Sequence, residues 1–160
     1  MKAVTVKELN HALISRSPKE LRDICLRLSR FKKENKELLT YLLFESADET
    51  SYIESVKNEI DEQFEQINKK THYFIKKGLR KILLSTRKYI RYSQNKKTEI
   101  ELLIYYCKKL RNFTPSFYRN TRLLNLYNGQ VDAIIKKVSS LHEDLQYDFT
   151  TEMKELVLQP

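Results

Sequence analysis

The sequence predicts an all-α fold of seven or eight antiparallel helices. Helix-breaking residues are scarce, with Gly 2 and Pro 3 among 160 residues, whereas average usage is about 7% and 5%. Apolar residues recur at helical spacing along most of the chain. Because 41% of the residues are hydrophobic and 32% are charged, the chain can fill a core and coat a surface, and we expect a single domain over 1–160.

Two capping boxes predict the first two helix starts. Thr5 and Glu8 form the first, and Ser17 and Glu20 form the second, with Pro18 at the position where a helix tolerates proline. The second helix carries an amphipathic stripe of Leu21, Ile24, Cys25 and Leu28.

Beyond Asn35, which we expect to cap a third helix, the segment 38–44 is apolar on all sides. Apolar residues on all sides of a helix predict that the segment is buried rather than on a surface.

The middle of the chain predicts three further features. A loop at 46–51 precedes a helix whose inner stripe is Ile53, Val56, Ile60, Phe64 and Ile67. Thr71 is expected to cap a helix that runs to about Tyr92. Residues 97–113 are apolar on every side, which predicts the most buried helix of the fold.

The last third is marked by turn signals. Thr114-Pro115 predicts another helix start, and Asn128-Gly129 predicts a helix end. A final stripe of Val131, Ile134, Ile135, Val138, Leu141 and Leu145 precedes a looser acidic tail through Phe149, Met153 and Val157. Two architectures fit these helices, a short αα-superhelix of stacked antiparallel pairs or a closed helical bundle, and we favour the stacked pairs.

The segments KELLTYLLFESADE and KKGLRKILLSTRKYIRYSQNKKTEIELLIYYCKKL are similar to a group of uncharacterised all-helical bacterial proteins. This resemblance implies a helical fold and a bacterial, cytoplasmic setting, and it implies no catalytic residue. The helix pairs also resemble armadillo and HEAT repeats, without the recurring proline and aspartate positions of those repeats.

Positive charge is concentrated in the centre of the chain. Residues 1–68 hold 11 Lys and Arg against 13 Asp and Glu, a net charge of −2. Residues 69–122 hold 16 Lys and Arg against two Asp and Glu, a net charge of +14. Residues 123–160 hold three Lys and Arg against six Asp and Glu, a net charge of −3. Such asymmetry indicates an anionic partner or an internal contact between acidic and basic segments.

On a helical projection, nine central cations share one arc of about 140°. They are Lys69, Lys70, Lys76, Lys77, Arg80, Lys81, Arg87, Lys88 and Arg91. The opposite side carries Ile75, Leu79, Ile82, Leu83 and Ile90. Tyr73 and Leu84 lie inside the basic arc, so we expect both to be exposed or to face a partner.

Three interpretations of this arc stay open. It is a solvated face, or it pairs with the acidic helix 49–67, or it binds an anionic partner. In the last case the protein is a non-catalytic adaptor or scaffold that binds an acidic protein surface, with Lys76, Lys77, Arg80, Lys81, Arg87, Lys88, Arg91 and Tyr73 as candidate contacts. The alternative is a nucleic-acid-binding accessory protein, in which tyrosines such as Tyr89, Tyr92, Tyr105, Tyr106 and Tyr118 stack on bases. The oligomeric state is left open.

Enzyme, metal and membrane signals are weak. Two glycines exclude a glycine-rich phosphate loop, Glu8 and His11 have no second copy of a di-iron motif, and we expect no metal, no cofactor and no catalysis. Cys25 and Cys107 fall on apolar stripes, which predicts reduced, buried thiols.

The longest apolar run is Leu102 to Cys107, which is too short to cross a bilayer. No signal peptide is recognisable, so a cytoplasmic protein without membrane contact is expected.

Overall fold

The computed structural model describes residues 2–116, 118 and 120–156, and the regular structure within them is helical, without a strand. The all-α prediction is therefore confirmed. The eight α-helices of this part of the chain are α1 (Val6–Ile14), α2 (Pro18–Phe31), α3 (Lys33–Thr40), α4 (Glu49–Glu65), α5 (His72–Ser93), α6 (Lys96–Arg111), α7 (Thr121–Val138) and α8 (Glu143–Met153). A π-helical turn, Tyr41–Glu45, follows α3 directly.

The chain divides into two compact units. The N-terminal unit, Met1–Ser46, holds α1 to α3 and the π-helical turn, and the C-terminal unit, Ala47–Pro160, holds α4 to α8. Whether the two units unfold together is a separate property, so the single domain over 1–160 stays a prediction. Val157, which we expected in the acidic tail, lies outside the described residues.

Both predicted capping boxes are present in the N-terminal unit. The Ser17 hydroxyl accepts a hydrogen bond from the Glu20 amide at 3.3 Å, and the Glu20 carboxylate accepts one from the Ser17 amide at 2.8 Å. Thr5 and Glu8 make the same pair of bonds at the start of α1. Since these bonds satisfy amides that have no partner within the helix, they explain where both helices begin.

Two predictions of burial in the N-terminal unit are wrong. Cys25 is exposed, and in the segment 38–44 Tyr41 is buried while Leu42, Leu43 and Phe44 are 55%, 64% and 78% exposed. The reason is size, because a unit of 46 residues packs little more than α2 against α3. Too few neighbours are present within it to cover an apolar helix on all sides.

The C-terminal unit is built around α6. This helix packs against α4, α5 and α7, while α4 also packs against α5 and α7 against α8. The fully buried side chains of α6 occupy more than half of its circumference and are Ile100, Leu102, Ile104, Tyr106, Cys107 and Leu110. The prediction that residues 97–113 form the most buried helix is confirmed.

The neighbours of α6 present the stripes that the sequence predicts. All five predicted stripe residues of the α4 segment, Ile53 to Ile67, are buried, as are the five predicted for α5. The Tyr106 hydroxyl, fully buried, donates to the Leu79 carbonyl of α5 at 3.0 Å. Because an unpaired buried hydroxyl would be costly, this bond also helps to set how α5 lies against α6.

Two boundary predictions near α7 are wrong. Thr114-Pro115 lies in the connection before α7, and the helix begins at Thr121, where the Asn120 side chain accepts from the Arg122 and Leu123 amides. Asn128-Gly129 lies inside α7, since buried Tyr127 and Val131 hold the helix together on either side of it.

The stripe from Val131 to Leu145 is also not continuous. It is divided at Ser139 and Ser140, whose hydroxyls bond back to the carbonyls of Lys136 and Lys137. Ile135, which was predicted to lie inward, is 45% exposed.

The position of Leu103 in α6 predicts a large loss of stability on truncation. Leu103 is 3% exposed, so Leu103→Ala should lower the free energy of unfolding by about 2–5 kcal/mol. The matched control is Ile135→Ala on the exposed side of α7, which should cost far less. Denaturant unfolding measures both, and equal losses would contradict the assignment of α6 as the core helix.

Gly129 predicts the opposite effect. A Cβ at Gly129 would meet no atom within 4 Å, so Gly129→Ala should raise the free energy of unfolding by about 0.5–1 kcal/mol through better helix propensity. Gly78 in α5 is the control, because its Cβ would lie 3.2 Å from Cγ1 of buried Ile67. Gly78→Ala should therefore gain less, and a destabilised Gly129→Ala protein would contradict the helical account of α7.

Candidate partner-binding surface

The predicted basic arc is shorter in the structure than in the sequence projection. Helix α5 begins at His72, with the Thr71 hydroxyl accepting from the Phe74 amide at 3.3 Å. Lys69 and Lys70 precede it and do not belong to its face, and the Lys69 ammonium lies 5.0 Å from the Phe113 ring centre. The seven remaining cations form what we call the basic face, namely Lys76, Lys77, Arg80, Lys81, Arg87, Lys88 and Arg91.

The apolar side of α5 determines where the basic face points. Ile75, Leu79 and Ile82 are nearly inaccessible to solvent, and the Thr86 hydroxyl is buried with its bond to the Ile82 carbonyl at 2.9 Å. Since α4 and α6 cover this side, the opposite side is turned to solvent. Exposed cations on it are Lys77, Arg80, Lys81, Arg87 and Arg91, while Lys76 and Lys88 are half-buried.

The cations at the N-terminal end of the face repel one another. Partial loss of hydration lowers the pKa of Lys76, and the positive charges of Arg80 and Arg122 lower it further. Arg122 lies in the first turn of α7, and sequence reasoning missed it as a member of this cluster. No spacing rule connects residues 76 and 122, so only the folded C-terminal unit reveals that Arg122 lies near this cluster.

Several described acidic residues of α4 have other partners than the cations at the N-terminal end of the basic face. Asp61 pairs with Lys109 of α6 at 2.9 Å and accepts from the Tyr105 hydroxyl at 2.8 Å, and Glu59 accepts from Gln63. Among the ion pairs of residues 2–116, 118 and 120–156, none joins Lys76, Lys77, Arg80, Lys81 or Arg91 to a carboxylate of α4. Internal pairing with the helix 49–67 is therefore not what the structure displays at these positions.

The two ends of the basic face differ in their side-chain contacts. At the C-terminal end, Arg87 donates to the Gln130 side chain of α7 at 2.8 Å, and the Lys88 ammonium lies 4.6 Å from the Tyr89 ring centre. The N-terminal end, from Lys76 to Lys81, has no comparable side-chain contact among the described residues. This end is accordingly the part best placed to meet a partner.

Two exposed apolar side chains flank that end, as predicted. Tyr73 is 68% exposed and Leu84 is 67% exposed. Together with Lys76, Lys77, Arg80 and Lys81 they line a shallow depression of about 430 Å³. A neighbouring depression of about 320 Å³ shares Lys77 and Lys81 and extends past Phe74 to the C-terminal end of α4.

Most of the other central tyrosines serve the fold. Tyr106 is fully buried, and burial raises its pKa. Burial also raises the pKa of Tyr105 to about 12, with a further contribution from its bond to the Asp61 carboxylate. Tyr89 and Tyr92 meet edge to face with ring centres 6.1 Å apart. Tyr73, by contrast, lines the depression formed with Lys76, Lys77, Arg80 and Lys81.

The cysteine and the potential metal ligands of the described residues do not form a second candidate site. Burial raises the pKa of the Cys107 thiol to about 12, which makes it a poor nucleophile at neutral pH. Within the described residues, no three His, Cys, Asp or Glu side chains come together as a metal site would need, Glu8 and His11 included. Nor does any helix described there combine the length and apolar character needed to cross a bilayer.

Comparison of the chain with models of known protein families, with curated proteins and with solved structures gave no match in any of the three.

Proposed function

We propose that this protein is a non-catalytic helical interaction module, an adaptor or scaffold, whose basic face binds an acidic protein surface. The observation that carries the proposal is the cluster of Lys76, Lys77, Arg80 and Lys81 around one depression. These four cations have no ion pair within the described residues. A cytoplasmic location, expected from the sequence, is part of the same proposal.

Electrostatics support an anionic partner. The lowered pKa of Lys76 reflects lost hydration and the nearby charges of Arg80 and Arg122. Carboxylates of a partner would offset this repulsion and would gain from the clustered positive potential during association. The face therefore favours binding to an acidic surface over remaining solvated.

The apolar flanks favour a protein partner. Tyr73 and Leu84 would bury aromatic and aliphatic surface against a partner's apolar side chains, and such a mixture of anchors and charges is common at protein interfaces. Leu84 offers no flat ring on which a base could stack.

A nucleic-acid-binding accessory role for the region 69–122 is the second candidate. One observation favours it, which is that Tyr73 is 68% exposed beside the cations of the depression. A base could stack on Tyr73 while Lys76 and Lys77 contact phosphates. Tyr105 and Tyr106 would not contribute, because their hydroxyls bond within the fold.

Charge reversal tests the proposal. Lys77→Glu, Arg80→Glu and Lys81→Glu together should weaken binding of a poly-glutamate peptide roughly tenfold or more, about 1.4 kcal/mol or more. The melting temperature should hardly change, because exposed charges contribute little to folding. Fluorescence anisotropy at several salt concentrations measures the affinity, which should fall as salt rises.

The control is a second triple variant with the same change of net charge. Lys96→Glu, Lys97→Glu and Lys154→Glu alter exposed lysines outside the basic face and should weaken binding much less. Equal losses in the two triple variants would contradict a specific site. Tighter binding of an oligothymidine than of the peptide, lost only in the first variant, would favour the nucleic-acid role.

A further inference from the structure

We infer that the partner segment is an acidic amphipathic helix that lies along α5, with Tyr73 and Leu84 as its two apolar anchor points. This inference rests on the proposed function and specifies the ligand of the same surface. It follows from the spacing of the anchors and from the charges between them.

The two anchors lie on one line along α5. They are 11 residues apart, which corresponds to about 16.5 Å along the axis and a rotation of only about 20° at 1.5 Å and 100° per residue. Both side chains are largely exposed, and both line the same depression. A ligand that follows this line meets an apolar group at each end.

Cations fill the space between the anchors. Lys76 and Lys77 occupy the first turn after Tyr73, and Arg80 and Lys81 occupy the turn before Leu84. Along the axis of α5, one apolar side chain is therefore followed by two pairs of cations and then by a second apolar side chain. A complementary ligand therefore carries two turns of acidic side chains between two apolar ones, which is the pattern of an acidic amphipathic helix.

The spacing favours a helix over an extended strand. A helix places residues i and i+11 on one face, so its apolar side chains can reach both anchors. A strand rising about 3.3 Å per residue covers the same distance in about five residues, and residues i and i+5 of a strand point to opposite faces. An extended peptide would thus present only one of its two anchors to α5.

Residues on both sides of the depression enlarge the surface that a partner helix could contact. Arg122 of α7 lies close enough to Lys76 to lower its pKa, which adds positive charge on one side. Phe74, 42% exposed, lies on the other side, in the second depression that reaches α4. A helix has the width to touch both flanks while it follows the line of the anchors.

A matched pair of synthetic peptides tests the inference. The first peptide is a Glu-rich helix with two Leu eleven positions apart, and the second has the same composition with the Leu five positions apart. We expect the native protein to bind the first peptide roughly tenfold more tightly or better, as loss of an interface anchor typically costs that much. Equal affinities would overturn the inference.

The protein variants complete the test. Tyr73→Ala with Leu84→Ala should abolish the preference for the first peptide and leave weak, salt-sensitive binding of both. Ile135→Ala with Tyr147→Ala, which truncates exposed apolar side chains elsewhere, should preserve the preference. Displacement of the first peptide by an oligothymidine or by phosphatidylserine vesicles at lower concentration would overturn the inference in favour of a different class of ligand.

The failure of this inference is distinguishable from failure of the proposed function. If the charge-reversal variant loses poly-glutamate binding but the anchor variant keeps its peptide preference, the basic face binds anions and the helix model is wrong. If the charge-reversal variant binds both kinds of peptide normally, both proposals are wrong.

Discussion

Burial of α6 over more than half of its circumference is the constraint on which the C-terminal unit depends. A helix with Leu102, Tyr106 and Cys107 all inaccessible to solvent must be covered from several directions at once. Three helices, α4, α5 and α7, each direct an apolar stripe toward it. The buried hydroxyl of Tyr106, bonded to the Leu79 carbonyl, further restricts how α5 lies. The outward orientation of the basic face is a consequence of this packing.

The distribution of ion pairs explains why positive charge remains on α5. Lys57 of α4 pairs with Glu54 at 2.7 Å and with Glu101 of α6 at 2.8 Å. Asp61 pairs with Lys109, and Glu99 of α6 pairs with Lys137 of α7. These half-exposed pairs add little stability, but they engage carboxylates on α4 and α6 away from the basic face.

Local signals in the sequence predicted most of the fold. The caps at Thr5, Ser17 and Thr71 and the inner stripe of α4 depend on neighbouring residues only, and the structure confirms them. Predictions that required knowledge of distant neighbours were less successful. The apolar residues of a segment such as 42–44 indicate which side chains a helix could bury. Whether these side chains are buried depends on how many other elements surround the helix.

The candidate surface was likewise predictable only in part. Helical periodicity placed Tyr73 and Leu84 among the cations and predicted their exposure, which the structure confirms. It could not include Arg122, because the position of Arg122 near Lys76 depends on the fold of the C-terminal unit rather than on spacing along one helix. It also extended the arc to Lys69 and Lys70, although the Thr71 cap, itself visible in the sequence, begins α5 after them.

The central claim is that the cations at the N-terminal end of the basic face lie close together and that no carboxylate of the described residues pairs with them. Titration of the lysine side chains by NMR tests it most directly. The account predicts that Lys76 titrates below the ordinary value of 10.5 and that its pKa rises in Arg80→Gln and Arg122→Gln variants. Lys57 is the internal reference, because its bonds to Glu101 and Glu54 outweigh the effect of burial and raise its pKa above 10.5. A Lys76 that titrates at or above 10.5 would reveal an anionic neighbour within the chain and would contradict the account.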